Sequence, residues 1–259
     1  MDLLIPAVCV IFGFIVGTLS GRFGIGGAII TIPFFRIILG VDGHTAIATA
    51  LPLTIPTALA GALVFHKKGL IKYETALVVG LSGVLFSVLG AYLTAFFTSG
   101  SLMLMSSVMF FALAYIMSRE KGEIETVESS AIFGKTLSSV FIGCIAGFVS
   151  GFFGIGGGAV LVPMLVIVQK LPIKKAIPTS LATMAIYAIP GSLTHYALGN
   201  VNTELLAFVL MGSIVGAHFG AEATVREEEK KLSTAFSVFL VFLGLVLLVN
   251  ELLRMAPIF

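Results

Sequence analysis

Three long stretches of this chain carry no charge: Ala76 to Phe97, Leu102 to Met117 and Phe236 to Val249. A helix that crosses a bilayer needs about 20 apolar residues, and these runs approach that length. Backbone N–H and C=O groups in a bilayer must find partners within the protein, which leaves helices or a closed barrel. A barrel strand alternates apolar and polar residues, and these runs do not. Charged residues make up only 11% of the chain and hydrophobic residues 58%, against roughly 25% charged in a soluble domain. These features predict an all-α polytopic membrane protein. The net charge of +2 points to no nucleic-acid partner. Asp2 precedes the first apolar run and no basic stretch does, so no cleavable leader is expected. Cys9 and Cys144 both sit in apolar segments and read as small packing residues, not as a disulfide or metal site.

The chain is a tandem duplication. Ser20-Gly21-Arg22-Phe23-Gly24-Ile25-Gly26-Gly27-Ala28 returns as Ser150-Gly151-Phe152-Phe153-Gly154-Ile155-Gly156-Gly157-Gly158, 130 residues later. In that register 11 of the 21 positions from Gly13 to Pro33 are identical in the second half. Without a gap, Thr49 then meets Thr179, Leu51 meets Leu181, Gly61 meets Gly191, Glu74 meets Glu204, and Gly90-Ala91 meets Gly220-Ala221. A register this long is an internal repeat. It divides the chain into a first transmembrane repeat (1–118), a cytoplasmic linker (119–132) and a second repeat (133–259).

Each repeat reads as five apolar elements. The first has Leu3 to Leu19, Ala28 to Leu39, Thr45 to Phe65, Tyr73 to Phe97 and Leu102 to Ser118. The second has Phe133 to Val149, Ala159 to Val168, Ala176 to Leu198, Glu204 to Thr224 and Leu232 to Leu253. The second element of each is too short to cross. The basic residues orient the repeats. Lys67, Lys68 and Lys72 fill one loop whose counterpart near Asn200 has none, and Lys170, Lys174 and Lys175 fill another whose counterpart, Gly40 to Gly43, has none. Basic loops stay in the cytoplasm, so equivalent loops lie on opposite sides. The expectation is two inverted-topology repeats, each with a re-entrant or broken helix pair plus three membrane-spanning helices, and both termini outside.

Irregular backbone within a bilayer is tolerated only where it packs in protein or lines a cavity. Two inverted glycine phrases would enter from opposite faces and meet near the midplane, a recurrent plan of secondary transporters. The short helices that start there expose unpartnered N–H groups and positive dipole ends, which suits an anion. Gly24, Gly26, Gly27, Gly154, Gly156 and Gly157 are therefore the candidate cradle. Arg22, present only in the first copy, has donors that fit an oxyanion. Two other readings stay open: the glycines serve close helix packing, or Arg22 lies at the cytoplasmic surface because the first element already spans. Thr49, Thr179 and Ser180 add hydroxyls, as do Thr54, Thr57 and Thr183, though any of them can instead bond its own helix.

His66 and His195 lie near helix ends and read as interfacial. His218 with Glu222 one turn later is a candidate proton relay near the cytoplasmic end. Glu74 and Glu204 complement helix starts, and Arg36 can snorkel to the outer face. No carboxylate falls at an expected midplane, and no nucleotide loop or protease constellation occurs, so transport is expected and enzyme activity and cofactors are not. The alternative is a channel-like pore for a small anion or neutral solute, built from facing half-helices.

The duplicated glycine phrase with Pro33 or Pro163 after it, and the segments Ala46-Ile47-Ala48-Thr49-Ala50-Leu51 and Ala176-Ile177-Pro178-Thr179-Ser180-Leu181, resemble the sulfite exporter TauE/SafE family, also called the toluene sulfonate uptake permeases. The resemblance covers both halves. It implies a multi-pass transporter of the prokaryotic inner membrane that moves a small sulfur-containing anion such as sulfite, a sulfonate or a sulfoacetate-like compound. It points to Gly24, Gly26, Gly27, Gly154, Gly156, Gly157, Thr49, Thr179 and Ser180 as substrate-binding. Ala50 stands where the second half has Ser180, so the hydroxyls are not symmetric. The expected partners are the anion and the lipid bilayer, with a homo-oligomer as one arrangement open to such a chain.

Overall fold

The computed structural model describes residues 4–119 and 132–255, and among these it is helical with no strand. The first half contains α1 (Leu4–Phe23), α2 (Ala28–Ile37), α3 (Gly43–Lys67), α4 (Tyr73–Leu93) and α5 (Ser99–Arg119). The second contains α6 (Ile132–Phe153), α7 (Gly158–Ile167), α8 (Ile173–Ala197), α9 (Thr203–Arg226) and α10 (Glu229–Met255). Eight of these are long and apolar enough to cross a membrane, while α2 and α7 have 10 residues each. At 1.5 Å per residue a helix of that length covers about 15 Å, half the hydrocarbon thickness. The protein is thus a multi-pass helical membrane protein. The expected linker, 119–132, lies between the ends of α5 and α6 and, apart from those ends, outside the described residues.

The element reading from sequence matches these helices closely, with one difference of substance. The first element runs on through Ser20-Gly21-Arg22-Phe23 before it breaks, so only the latter part of the glycine phrase is irregular. Gly21 is helical because it is a packing residue. Gly13, Gly17 and Gly21 of α1 face Val209, Ser213 and Ala217 of α9, and Gly212, Gly216 and Gly220 of α9 face Val10, Phe14 and Thr18 of α1. A methyl group at any of the six would overlap a partner carbonyl oxygen. Small residues at this spacing let two backbones touch, which replaces the missing hydrophobic drive between helices in lipid. The second half repeats the arrangement, with Gly143, Gly147 and Gly151 of α6 against Val79, Gly83 and Ser87 of α4. The packing reading thus holds for Gly21, while the later glycines of the phrase lie in the break after α1.

These contacts fix directions. In each pair the facing residues advance together, so α1 is parallel to α9 and α6 is parallel to α4. At the centre, Gly61 of α3 lies against Leu181 of α8 while Gly191 of α8 lies against Leu51 of α3, which makes α3 and α8 antiparallel. Short turns reverse the chain from α3 into α4 and from α8 into α9. Equivalent helices of the two halves consequently run in opposite senses, and the first helix of each half is held by the fourth helix of the other.

The α1–α9 seam tolerates no added atom. Gly17→Ala should cost about 2 kcal/mol by overpacking, seen as a lower Tm of the detergent-purified protein, whereas Gly40→Ala, whose Cβ would meet nothing within 4 Å, should leave the seam undisturbed. An unchanged Tm for Gly17→Ala would mean that the two helices are not in backbone contact.

Candidate functional site

After α1 the chain turns inward through Gly24, Gly26 and Gly27, with φ of 69°, 77° and 75°. Gly154, Gly156 and Gly157 repeat the turn at 65°, 73° and 75°. An L-residue pays roughly 1–2 kcal/mol for such a φ, which is why the phrase is written in glycine. The two turns meet. A Cβ at Gly158 would overlap the Gly24 carbonyl oxygen and fall 2.6 Å from Ile25 Cα. Both turns also converge on Thr54, midway along the 25-residue α3. A Cβ at Gly26 would lie 2.5 Å from Thr54 Cγ2, and one at Gly156 would lie 2.6 Å from Thr54 Oγ1. Met184, which stands where α8 repeats Thr54, reaches both turns from the other side.

Hydroxyls close the exposed carbonyls. Thr57 Oγ1 is 3.1 Å from Gly26 O, and Tyr187, its equivalent in the second half, donates to Gly156 O at 3.1 Å. Ser180 donates to Gly24 O at 2.9 Å. Thr54 Oγ1 is buried and, among the described residues, has no partner. The helices α2 and α7 begin here, after Gly27 and Gly157, and no side chain caps either start. Two sets of first-turn N–H groups and two positive dipole ends thus lie beside one free hydroxyl. That combination attracts a small anion and offers it donors without requiring a buried cation.

The other expected site residues lie elsewhere. Arg22 ends α1, and its guanidinium donates to both Glu227 carboxylate oxygens at 2.7 and 2.8 Å, while Thr224 near the end of α9 donates to its carbonyl. Arg22 is therefore tied to the end of α9 and not held between the turns. Thr49 Oγ1 accepts from Asn202 N–H at 2.9 Å, and Thr179 Oγ1 accepts from Lys72 N–H at 3.1 Å. Each thus satisfies a backbone donor at the start of the neighbouring α9 or α4. His218 and Glu222 sit 3.5 Å apart, each about half exposed, in a groove of about 260 Å³ with Lys67, Lys68 and Arg226. That groove is at the helix ends, away from the glycine turns. His66 is exposed and bonds Tyr73. His195 is not interfacial as its position suggested: it is buried, and its Nε2 is 2.9 Å from the Gly151 carbonyl oxygen. Tyr187 and Met184 carry no sequence signal of their own. Only the register of the repeat, which sets them opposite Thr57 and Thr54, marks their positions.

The model of the family described as "Sulfite exporter TauE/SafE" matches residues 9–247. The chain is similar to probable membrane transporter proteins YunE and YdhB of Bacillus subtilis. It is 27% identical to YunE over 92% of this chain and 95% of that protein, and 28% identical to YdhB over 91% and 97%. A probable membrane transporter protein of Methanocaldococcus jannaschii is 25% identical over 95% of this chain and 96% of its own. No solved structure matches.

Thr49 and Thr179 should behave as structural residues. Replacing either with valine leaves a backbone donor unpartnered and should lower stability by about 1–3 kcal/mol. The midpoint of thermal unfolding should fall, and the affinity for an anion that protects the wild type from heat should stay within twofold.

Proposed function

We propose a function for a chain that belongs to the sulfite exporter TauE/SafE family: it is a secondary transporter that carries a small sulfur-containing anion, such as sulfite or a sulfonate, by alternating access. The observation that carries the reading is the meeting of the two glycine turns at Thr54. The anion sits between the starts of α2 and α7, takes hydrogen bonds from their first-turn N–H groups and receives one from Thr54 Oγ1. Met184 supplies a polarizable apolar wall. Gly24, Gly26, Gly27, Gly154, Gly156 and Gly157 shape the cradle, and Ser180 holds the Gly24 carbonyl away from the anion.

The opposed directions of equivalent helices support an inverted repeat in the bilayer. In this orientation Lys67 and Lys68 end α3, Lys174 and Lys175 begin α8, and Arg226, Lys230 and Lys231 lie between α9 and α10. All fall on one side, which is the cytoplasmic side of a prokaryotic inner membrane by the positive-inside rule, with both termini outside. Arg22 then belongs to the cytoplasmic approach. An anion entering from that side competes with the Glu227 carboxylate for the guanidinium, so the ion pair acts as a gate.

Proteoliposomes test this directly. Labelled sulfite should enter saturably and be stimulated by sulfite on the far side; large unitary currents without saturation would instead establish a pore. Thr54→Val should raise the half-saturating concentration about tenfold, since a hydrogen bond to a charged group contributes roughly 1.5 kcal/mol. Unchanged affinity in Thr54→Val would place the anion elsewhere. Glu227→Gln, which frees Arg22, should lower the half-saturating concentration from the cytoplasmic side, and Arg22→Gln should raise it.

A further inference from the structure

A buried polar cluster lies where α4, α6 and α8 meet. His195 of α8 is 1% exposed, and Ser87 of α4, Ser150 of α6 and Ser192 of α8 are also buried. Ser87 Oγ lies against Gly191, one turn before His195, and the Ser87 backbone touches Gly151, whose carbonyl meets His195 Nε2. Among the described residues, the three serine oxygens and His195 Nδ1 have no partner. Packing does not require these groups. In the repeat register Ala217, Ala62 and Phe65 occupy the places of Ser87, Ser192 and His195, while Ser150 answers Ser20, which is likewise buried and, among the described residues, without a partner.

The chemistry of the ring is determined by its neighbour. A carbonyl only accepts, so Nε2 carries the hydrogen and Nδ1 keeps its lone pair. Nδ1, buried and without a partner among the described residues, is the atom that can take a proton. His44 begins α3 at the end where the antiparallel α8 carries His195. It bonds the Phe97 carbonyl through Nε2 at 3.0 Å and approaches Ser99 Oγ through Nδ1 at 3.0 Å, and Ser99 donates to Asp42 Oδ1 at 2.8 Å. Asp42 is 58% exposed. Burial pushes its carboxyl up, but hydrogen bonds from Ser99 and the His44 and Gly43 N–H groups, with His44 itself, hold it below the usual carboxylate value. Glu74 of α4, Lys135 of α6, Lys174 and Lys175 of α8 and Glu229 to Lys231 of α10 lie toward the opposite ends of their helices, while Glu204, in the first turn of α9, lies at the same end as His195.

We propose that His195 is the proton-binding site that couples anion movement to a proton entering from the outer face through Asp42, Ser99 and His44. The imidazolium adds positive charge beside the second glycine turn, so a bound proton favours a bound anion and the two cross together. This rests on the transporter reading above. A monoanion and one proton cross without net charge, and a gradient of one pH unit then sustains about a tenfold accumulation.

The test uses methanesulfonate, whose charge does not vary with pH in the working range, in proteoliposomes held acidic outside. The wild type should accumulate it, and His66→Gln should match the wild type. His195→Gln, which can still donate to Gly151 O, should keep anion exchange at equal concentrations and lose accumulation. His195→Phe, which copies Phe65, should do the same if His195→Gln does not fold. Accumulation by either variant equal to the wild type overturns the proposal, as does loss of exchange and accumulation together in both. Histidine-selective NMR of the detergent-solubilised full chain separates this from the identity of the anion. One ring signal, absent in His195→Gln, should titrate with pH. If it titrates and neither methanesulfonate nor sulfite moves, the transporter reading fails and the proton site stands; a signal that does not titrate removes the site.

Discussion

Non-helical backbone in the middle of a bilayer has no water to bond, and every other feature of this protein serves that constraint. The glycine turns bring carbonyls and helix starts together in the interior of the protein. Tyr187 donates to one of those carbonyls, the Thr57 and Ser180 hydroxyls stand within hydrogen-bonding distance of two more while also facing carbonyls of their own helices, and the turns shield one another by direct contact at Gly24 and Gly158. What is left open is one hydroxyl and those first-turn N–H groups that the turn carbonyls do not already take, as Gly26 O takes Ala28 N–H and Gly157 O takes Val160 N–H. A site made of backbone donors is selective for negative charge, yet it holds no cation that would have to be neutralised when the anion leaves. That suits a carrier, which must release what it binds.

The scaffold keeps the turns at depth by exchanging helices between halves. Because α1 lies on α9 and α6 on α4 with carbonyls in contact, neither half can fold its first helix without the other. The duplication thus produces one body from two copies. It also shows where the copies have diverged. The turn glycines and the seam glycines of the first helix of each half keep their residues, whereas Arg22 answers Phe152, Ala50 answers Ser180, and the polar trio Ser87, Ser192 and His195 answers Ala217, Ala62 and Phe65. The divergent positions flank the turns on opposite sides, which makes the two approaches to the site chemically different.

Much of this was legible in the sequence because apolar runs and a gapless repeat are long-range signals. The ten helices, the two half-length elements and the glycine break all follow from them. The opposite loop charges already implied the opposed helix directions that the glycine contacts display. What the sequence did not reveal depends on which way a side chain faces. Thr49 and Thr179 pointed to the cradle by position, but their hydroxyls turn to the starts of α9 and α4. Arg22 is one turn too early, on the last helical turn of α1 beside Glu227. His195 looked interfacial from its place near a helix end, but α4 and α6 cover it. Thr54 was one hydroxyl among several until its lack of a partner singled it out.

The central claim is that an anion occupies the space between the two turns. Selenite, the selenium counterpart of sulfite, can be located by anomalous diffraction from crystals grown with it. The account predicts a selenium peak within hydrogen-bonding distance of Thr54 Oγ1 and of the backbone N–H groups that open α2 and α7. A peak confined to the groove of Lys67, Lys68 and Arg226, with none between the turns, would contradict it.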